Sequence, residues 1–425
     1  MELKTSGDQR ILLASGGTVS LKPACEAICT SIFIPTKRMA VLENPVYGAQ
    51  ILCFKSEETK DYLKGSVSGR GGTILANAAI EQEVIGTIDG EEVVAYRING
   101  GETTIEVMTY GAILRRALRP DRNGKVEDIV LGYDDPASYI DNPGNAGAIC
   151  GRFSNRINQG KFTLEGEEIQ LPTNSGPHHL HGGLPGYGKR IWQAEPNHDK
   201  NSVTFRMHSP DGDQNYPGTV EVTATYRVDC MGSLELTMEA TTDKTTIINI
   251  IYHGYWNLAG HASGSVEDQR LSILADRYTL VTPEKIPTGE IVPVKGTPFD
   301  FNTLHAIGDN IADAWPDGGY DHNLCHALYD GKMRLTARAV DPASGRGFEL
   351  YSNQPGVQFY TANHFKDQPT KGKDGALYQT YPGFALETQH YPDSPNHPEF
   401  PSVVLKPGET YSNRMKFVFS KNMSV

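Results

Sequence analysis

The chain reads as all-β, a large antiparallel β-sandwich, and three observations predict it. Apolar and polar residues alternate strictly in several runs, as they must where successive side chains point to opposite faces of a half-buried strand. Turn-forming residues punctuate those runs, with 44 Gly and 26 Pro among 425 residues. Helical periodicity sustained over several turns is nearly absent after residue 83.

In chain order, residues 1–82 differ from the rest. Short apolar runs at 11–13 and 32–34 show no coherent period. Lys64-Gly65-Ser66-Val67-Ser68-Gly69-Arg70-Gly71-Gly72 then has the composition of a flexible linker. It lacks the Gly-Lys-Ser/Thr ending of a phosphate loop. This segment is expected to be a poorly ordered extension or a start assigned too early, with the folded domain occupying 83–425. The β-rich region opens near Val84, with Asp89-Gly90 as its first hairpin-like turn. Residues 105–110 and 203–207 read as strands. Val220, Val222, Ala224, Tyr226 and Val228 alternate with Glu221, Thr223, Thr225 and Arg227. The chain turns at 229–233, and Leu234, Leu236, Met238 and Ala240 alternate back, which predicts a hairpin. Residues 335–340, the turn 341–345 and residues 348–351 repeat that grammar.

Composition narrows the function classes. A net charge of −12 opposes a nucleic-acid surface, which needs a basic field. No apolar run approaches the roughly 20 residues that span a bilayer, and the N-terminus lacks the ordered pattern of a secretory signal. The six cysteines are scattered. Cys25 and Cys29 have no second Cys or His pair to complete a zinc site. Reduced cysteines and a cytoplasmic location are the expectation.

The run Phe384-Ala385-Leu386-Glu387-Thr388-Gln389 sets one carboxylate inside an apolar, strand-like segment, followed by Tyr391-Pro392-Asp393. A carboxylate there either binds a neighbouring loop or takes part in chemistry. The second reading gains weight from four polar clusters upstream. They are Gly151-Arg152-Phe153-Ser154-Asn155-Arg156-Ile157, His178-His179-Leu180-His181-Gly182-Gly183, Tyr252-His253-Gly254-Tyr255-Trp256-Asn257 and Gly319-Tyr320-Asp321-His322-Asn323. Each mixes hydrogen-bonding side chains with aromatics and glycines. That mixture suits a sugar, whose hydroxyls need fixed donors and acceptors and whose ring faces stack on aromatics. Taken singly, each has a plain structural reading: surface ion pairs for Arg152 and Arg156, turns or a metal site for the histidines, a turn for Asp321, core packing for Tyr255 and Trp256.

Together with Tyr110-Gly111-Ala112, Leu131-Gly132-Tyr133, Pro287-Thr288-Gly289 and Pro298-Phe299-Asp300, these motifs resemble the galactose mutarotase (aldose 1-epimerase) family in its own order, from about residue 84 to 420. The resemblance implies a galactose mutarotase-like β-supersandwich with an open sugar cleft. It implies Glu387 as general base and His253 as general acid. It implies that Arg156, His181 and Asp321 bind sugar hydroxyls, and sets Asn155 and Gln358 along the same cleft. No metal and no cofactor is implied, and the partner is a small aldose such as galactose or glucose. The sequence departs from the family at Tyr252 and Gly254, where Asn and Thr or Ser usually flank the catalytic His, and at Trp256, where Phe is commoner.

Interconverting anomers needs ring opening. A base takes the C1 hydroxyl proton while an acid protonates the ring oxygen; the C1–C2 bond rotates and the ring recloses. Imidazole suits the acid, with an unperturbed pKa of about 6.5. The apolar run around Glu387 should raise its basicity, and a nearby Arg156 would oppose that shift. The residues leave three other readings open. A glycoside hydrolase would use Glu387 and Asp321 as its carboxylate pair. A non-catalytic sugar sensor would use the same fold. A metal site would draw on His178, His179 and His181.

Overall fold

The computed structural model describes residues 80–141, 144–316, 318–326 and 329–424, with six short strand segments before residue 74 described in backbone only. The expectation for residues 1–82 falls almost wholly outside the described residues. The first strand of the domain, Glu81–Ile88, starts three residues before Val84. It pairs with Glu91–Gly100 so that Ile88 faces Glu91 and only Asp89-Gly90 forms the loop. Both loop residues have left-handed backbone, φ 53° and 84°, as a two-residue turn that matches the strand twist requires.

Three large antiparallel sheets carry the domain. The first has five strands, ending in Ile113–Pro120 and Val126–Asp128. The second has nine and includes the expected hairpin: Val220–Val228 pairs with Leu234–Thr242, with Val228 opposite Leu234. Along Val220–Val228 burial follows the alternation residue by residue. Arg334–Val340 and Gly347–Ser352 form the second expected hairpin in the same sheet.

The third sheet positions the site. Its six strands run in the order Tyr255–Trp256, Phe384–Gln389, Gly356–Tyr360, Asp321–Cys325, Arg277–Val281, Pro287–Pro293. One face is apolar: Phe384, Leu386, Val357, Phe359 and Leu324 join Val222, Leu236, Phe348 and Phe417 of the nine-stranded sheet in one core. Apolar burial at roughly 25 cal/mol per Å2 makes that core the main stabilising element. The alternate positions necessarily point the other way. The only α-helix among the described residues, His364–Asp367, is a single turn.

Cys150 and Cys325 are free and buried. Cys230 is disulfide-bonded, which corrects the all-reduced expectation for that residue. Among the described residues no helix is long and apolar enough to cross a membrane.

Candidate active site

The period-two pattern that sends Phe384, Leu386, Val357 and Phe359 into the core sets polar side chains on the other face of the six-stranded sheet, beside Ala385 and Tyr255. Glu387 faces Gln358, Gln358 faces Asn323, and Asp321 faces Tyr360 across adjacent strands, so these side chains share one face. An amide ladder crosses it. Gln389 Nε2 donates to Asn323 Oδ1 at 3.1 Å and to Gln358 Oε1 at 3.2 Å. Gln358 Nε2 in turn donates to Asp321 Oδ1 at 2.7 Å. The other Asp321 oxygen lies 3.1 Å from Lys285 Nζ.

His253 comes from a different element. It ends the strand Ile251–His253, paired with Ala148–Cys150, and its Nε2 lies 3.2 Å from Glu387 Oε1. Both groups are almost fully buried. Glu387 Oε2 has no hydrogen-bond partner among the described residues. The His181 ring packs edge-on against His253 with centroids 5.1 Å apart. Residues Arg156–Ile157 pair with His179–Leu180, which joins the two loops that carry Asn155, Arg156 and His181. The Asn155 backbone N–H donates to His181 Nδ1 at 3.2 Å, which leaves Nε2 as the protonated ring nitrogen.

Burial dominates the electrostatics. It pushes Glu387 well above its usual range; Asp321 adds to the rise and Arg156 opposes it without prevailing. Burial lowers His253 to about 4. His181 is lowered as well, by burial and then by the neighbouring His253 and Arg156. Burial would raise Asp321, but Lys285, Arg156 and the Gln358 hydrogen bond together hold it at about 2.

The structure thus brings Glu387, His253, His181, Asn155, Arg156, Asp321 and Gln358 into one neighbourhood. Other members of the sequence clusters lie elsewhere. Arg152 is buried over the Tyr216 ring and donates to Pro217 O, Gly218 O and Ser209 Oγ, so it does not pair with Arg156 in the cleft. His179 bonds Pro172 O and the Tyr216 hydroxyl, and His178 lies against Glu284, so the three histidines diverge. Trp256 packs on Phe348 and Phe417 in the core, and His322 on Phe299. Asn257 donates to Gly264 O and Pro382 O.

Five neighbours of the site were given no role from sequence, although Gln389 and Asn323 stand inside its motifs. Gln389, Tyr360 and Asn323 stand two residues from Glu387, Gln358 and Asp321, so alternation alone would have found them. His364 and Lys285 had no such signal. The Tyr360 hydroxyl accepts from the His364 backbone N–H at 3.3 Å and bonds its Nδ1 at 2.9 Å, with the two rings stacked.

The sequence pattern of the aldose 1-epimerase family matches residues 95–418. Galactose mutarotase of Mus musculus is 40% identical over 332 residues, covering 78% of this chain and 95% of the mouse protein. Aldose 1-epimerase of Escherichia coli K12 is 36% identical over 327 residues, covering 76% and 93%. The crystal structure of galactose 1-epimerase from Lactobacillus acidophilus superposes with a TM-score of 0.70 at 26% identity, over 80% of this chain and 98% of that one.

Proposed function

Because the chain belongs to the aldose 1-epimerase family and its activity is the interconversion of aldose anomers, we propose that Glu387 and His253 perform it on free hexoses such as galactose and glucose. The observation that carries this reading is the contact of 3.2 Å between the two groups, with the second Glu387 oxygen unpartnered and buried. Glu387 takes the C1 hydroxyl proton and His253 gives one to the ring oxygen. The C1–C2 bond of the open chain rotates, and both transfers reverse as the ring closes.

Such a cycle starts and ends with the same number of protons on the pair. It runs fastest when neither partner holds its proton much more tightly than the other. Burial raises Glu387 and lowers His253, so both shifts work against the ordinary preference of the shared proton for imidazole. Arg156, His181, Asn155, Asp321 and Gln358 are assigned to the sugar hydroxyls. The hydrolase reading is disfavoured by the family match and by relatives named as epimerases and mutarotases, not by the carboxylates themselves.

Polarimetric decay of freshly dissolved α-D-galactose and α-D-glucose tests the proposal. Wild type is expected to accelerate both, and Glu387→Gln and His253→Asn each to lose on the order of 10² to 10⁴ of that acceleration. Saturable sugar binding by a folded wild type without faster decay would instead mark a sensor.

A further inference from the structure

We infer that Lys285 is a further substrate-binding residue, which forms with Asp321 an ammonium–carboxylate pair for two neighbouring sugar hydroxyls. The inference rests on the reading of the cleft as a sugar site. Lys285 stands in the loop between Arg277–Val281 and Pro287–Pro293, where Val281 faces Pro287. The loop is closed by its own backbone: Thr282 N–H donates to Ile286 O and Lys285 N–H to Thr282 O, both at 2.9 Å. Lys285 adopts a φ of 64°, a left-handed conformation that costs energy for a residue with a side chain.

The two charged residues of the loop tip have different partners. Glu284 meets His178 Nε2 at 3.3 Å, on the loop that also carries His181. Gln159 N–H donates to His178 Nδ1, which leaves Nε2 to donate to Glu284. Lys285 reaches inward to Asp321 at 3.1 Å, and both side chains are largely shielded, 20% and 12% exposed. A lysine at a hairpin tip ordinarily extends into water. Bringing its charge inward sacrifices hydration, a cost that ion pairing offsets only in part, so stability alone is a weak reason for the arrangement.

Recognition is a better one. A carboxylate only accepts and an ammonium only donates, whereas a hydroxyl does both. A pair held side by side therefore fits adjacent hydroxyls, one donating to Asp321 and the next accepting from Lys285. The Asp321 strand lies two strands from that of Glu387, roughly 10 Å across the sheet. The pair accordingly meets the side of the ring away from C1.

Steady-state polarimetry on the full chain tests this with wild type, Lys285→Met, Lys285→Gln and Glu284→Gln. Both Lys285 variants are expected to raise KM for galactose or glucose about tenfold or more, the range for a lost hydrogen bond to a charged group, with kcat within about twofold. Glu284→Gln, which alters only the outer tie, is expected to keep KM within about twofold. The wild-type advantage is expected to vanish on a 3-deoxy or a 4-deoxy hexose, where one contacted hydroxyl is missing. An unchanged KM in both Lys285 variants of an active enzyme overturns this inference alone. So does a fall in kcat with the deoxy-sugar advantage intact, which marks a structural loop. A wild type that accelerates neither sugar overturns the sugar reading together with it.

Discussion

At His253 and Glu387, the direction of each proton-affinity shift follows from burial, and the pair's pH dependence follows from the directions. The working pair holds one shared proton. Below about 4 the pair takes up a second proton, so that both groups are protonated and no base remains. At high pH the shared proton leaves, at a value set by the raised Glu387, and no acid remains. The profile of kcat/KM is therefore expected to be a bell with its acid limb near pH 4 and its alkaline limb well above the usual carboxylate range, both belonging to the pair. A single limb near pH 6.5, the ordinary imidazole value, would contradict the assignment. Asp321 raises both groups through its charge. Asp321→Asn is expected to move both limbs to lower pH, readable in kcat/KM even where substrate binding weakens.

Among the elements, the strand Ile251–His253 shows what the sequence leaves unread. Tyr252 and Gly254 appear in the chain as two separate departures from the family pattern. In the structure they are one arrangement. The Tyr252 ring packs against Trp256 and Phe417 and fills the space that a Cβ at residue 254 would occupy, overlapping its Cζ and Oη. A large residue at 252 thus demands glycine at 254, and the two flank His253 in the chain. Gly254→Ala is expected to destabilise by about 1–3 kcal/mol through overpacking and to lower kcat by displacing His253. Tyr252→Ala should cost about 3–5 kcal/mol from the cavity it opens. In that background Gly254→Ala should cost much less, so urea unfolding of the four proteins would yield a coupling energy; strictly additive losses would refute the shared volume. Alternation made Val220–Val228 legible, since its burial follows its spelling, whereas Phe384–Gln389 is buried at all six positions and was legible as an apolar run around one carboxylate. The Tyr252–Gly254 fit was not legible, because a contact between two side-chain volumes has no period. Lys285 was missed for a related reason: the partner that draws it inward, Asp321, stands 36 residues away and on another strand.

For the whole molecule, the site depends on ties between segments far apart in the chain. The core runs from Ile80 to Phe417, and the family match lies within 95–418. A protein lacking residues 1–79 is therefore expected to keep its mutarotase activity, and loss of activity from a folded truncation would refute the proposed domain division. The segment after the helix His364–Asp367 is fastened to the first sheet by Lys373. Its ammonium is fully buried and donates to Arg115 O at 2.8 Å, Val130 O at 2.7 Å and Asp128 Oδ2 at 2.6 Å. Asp128 also accepts from the backbone N–H of Ala117 at 3.0 Å. Removing the cation would leave the buried Asp128 carboxylate only the longer pair with Arg116, at 3.6 Å, a larger penalty than losing an exposed pair. Lys373→Met is expected to destabilise by about 3–5 kcal/mol. Lys125→Met, which breaks the exposed pair with Glu127, should cost about 0–1 kcal/mol. Because His364 and Tyr360 adjoin the same segment, mutarotation by Lys373→Met should fail in urea before the nine-stranded sheet unfolds. Simultaneous loss of activity and of global structure at an unshifted urea midpoint would show that Lys373 carries no such load.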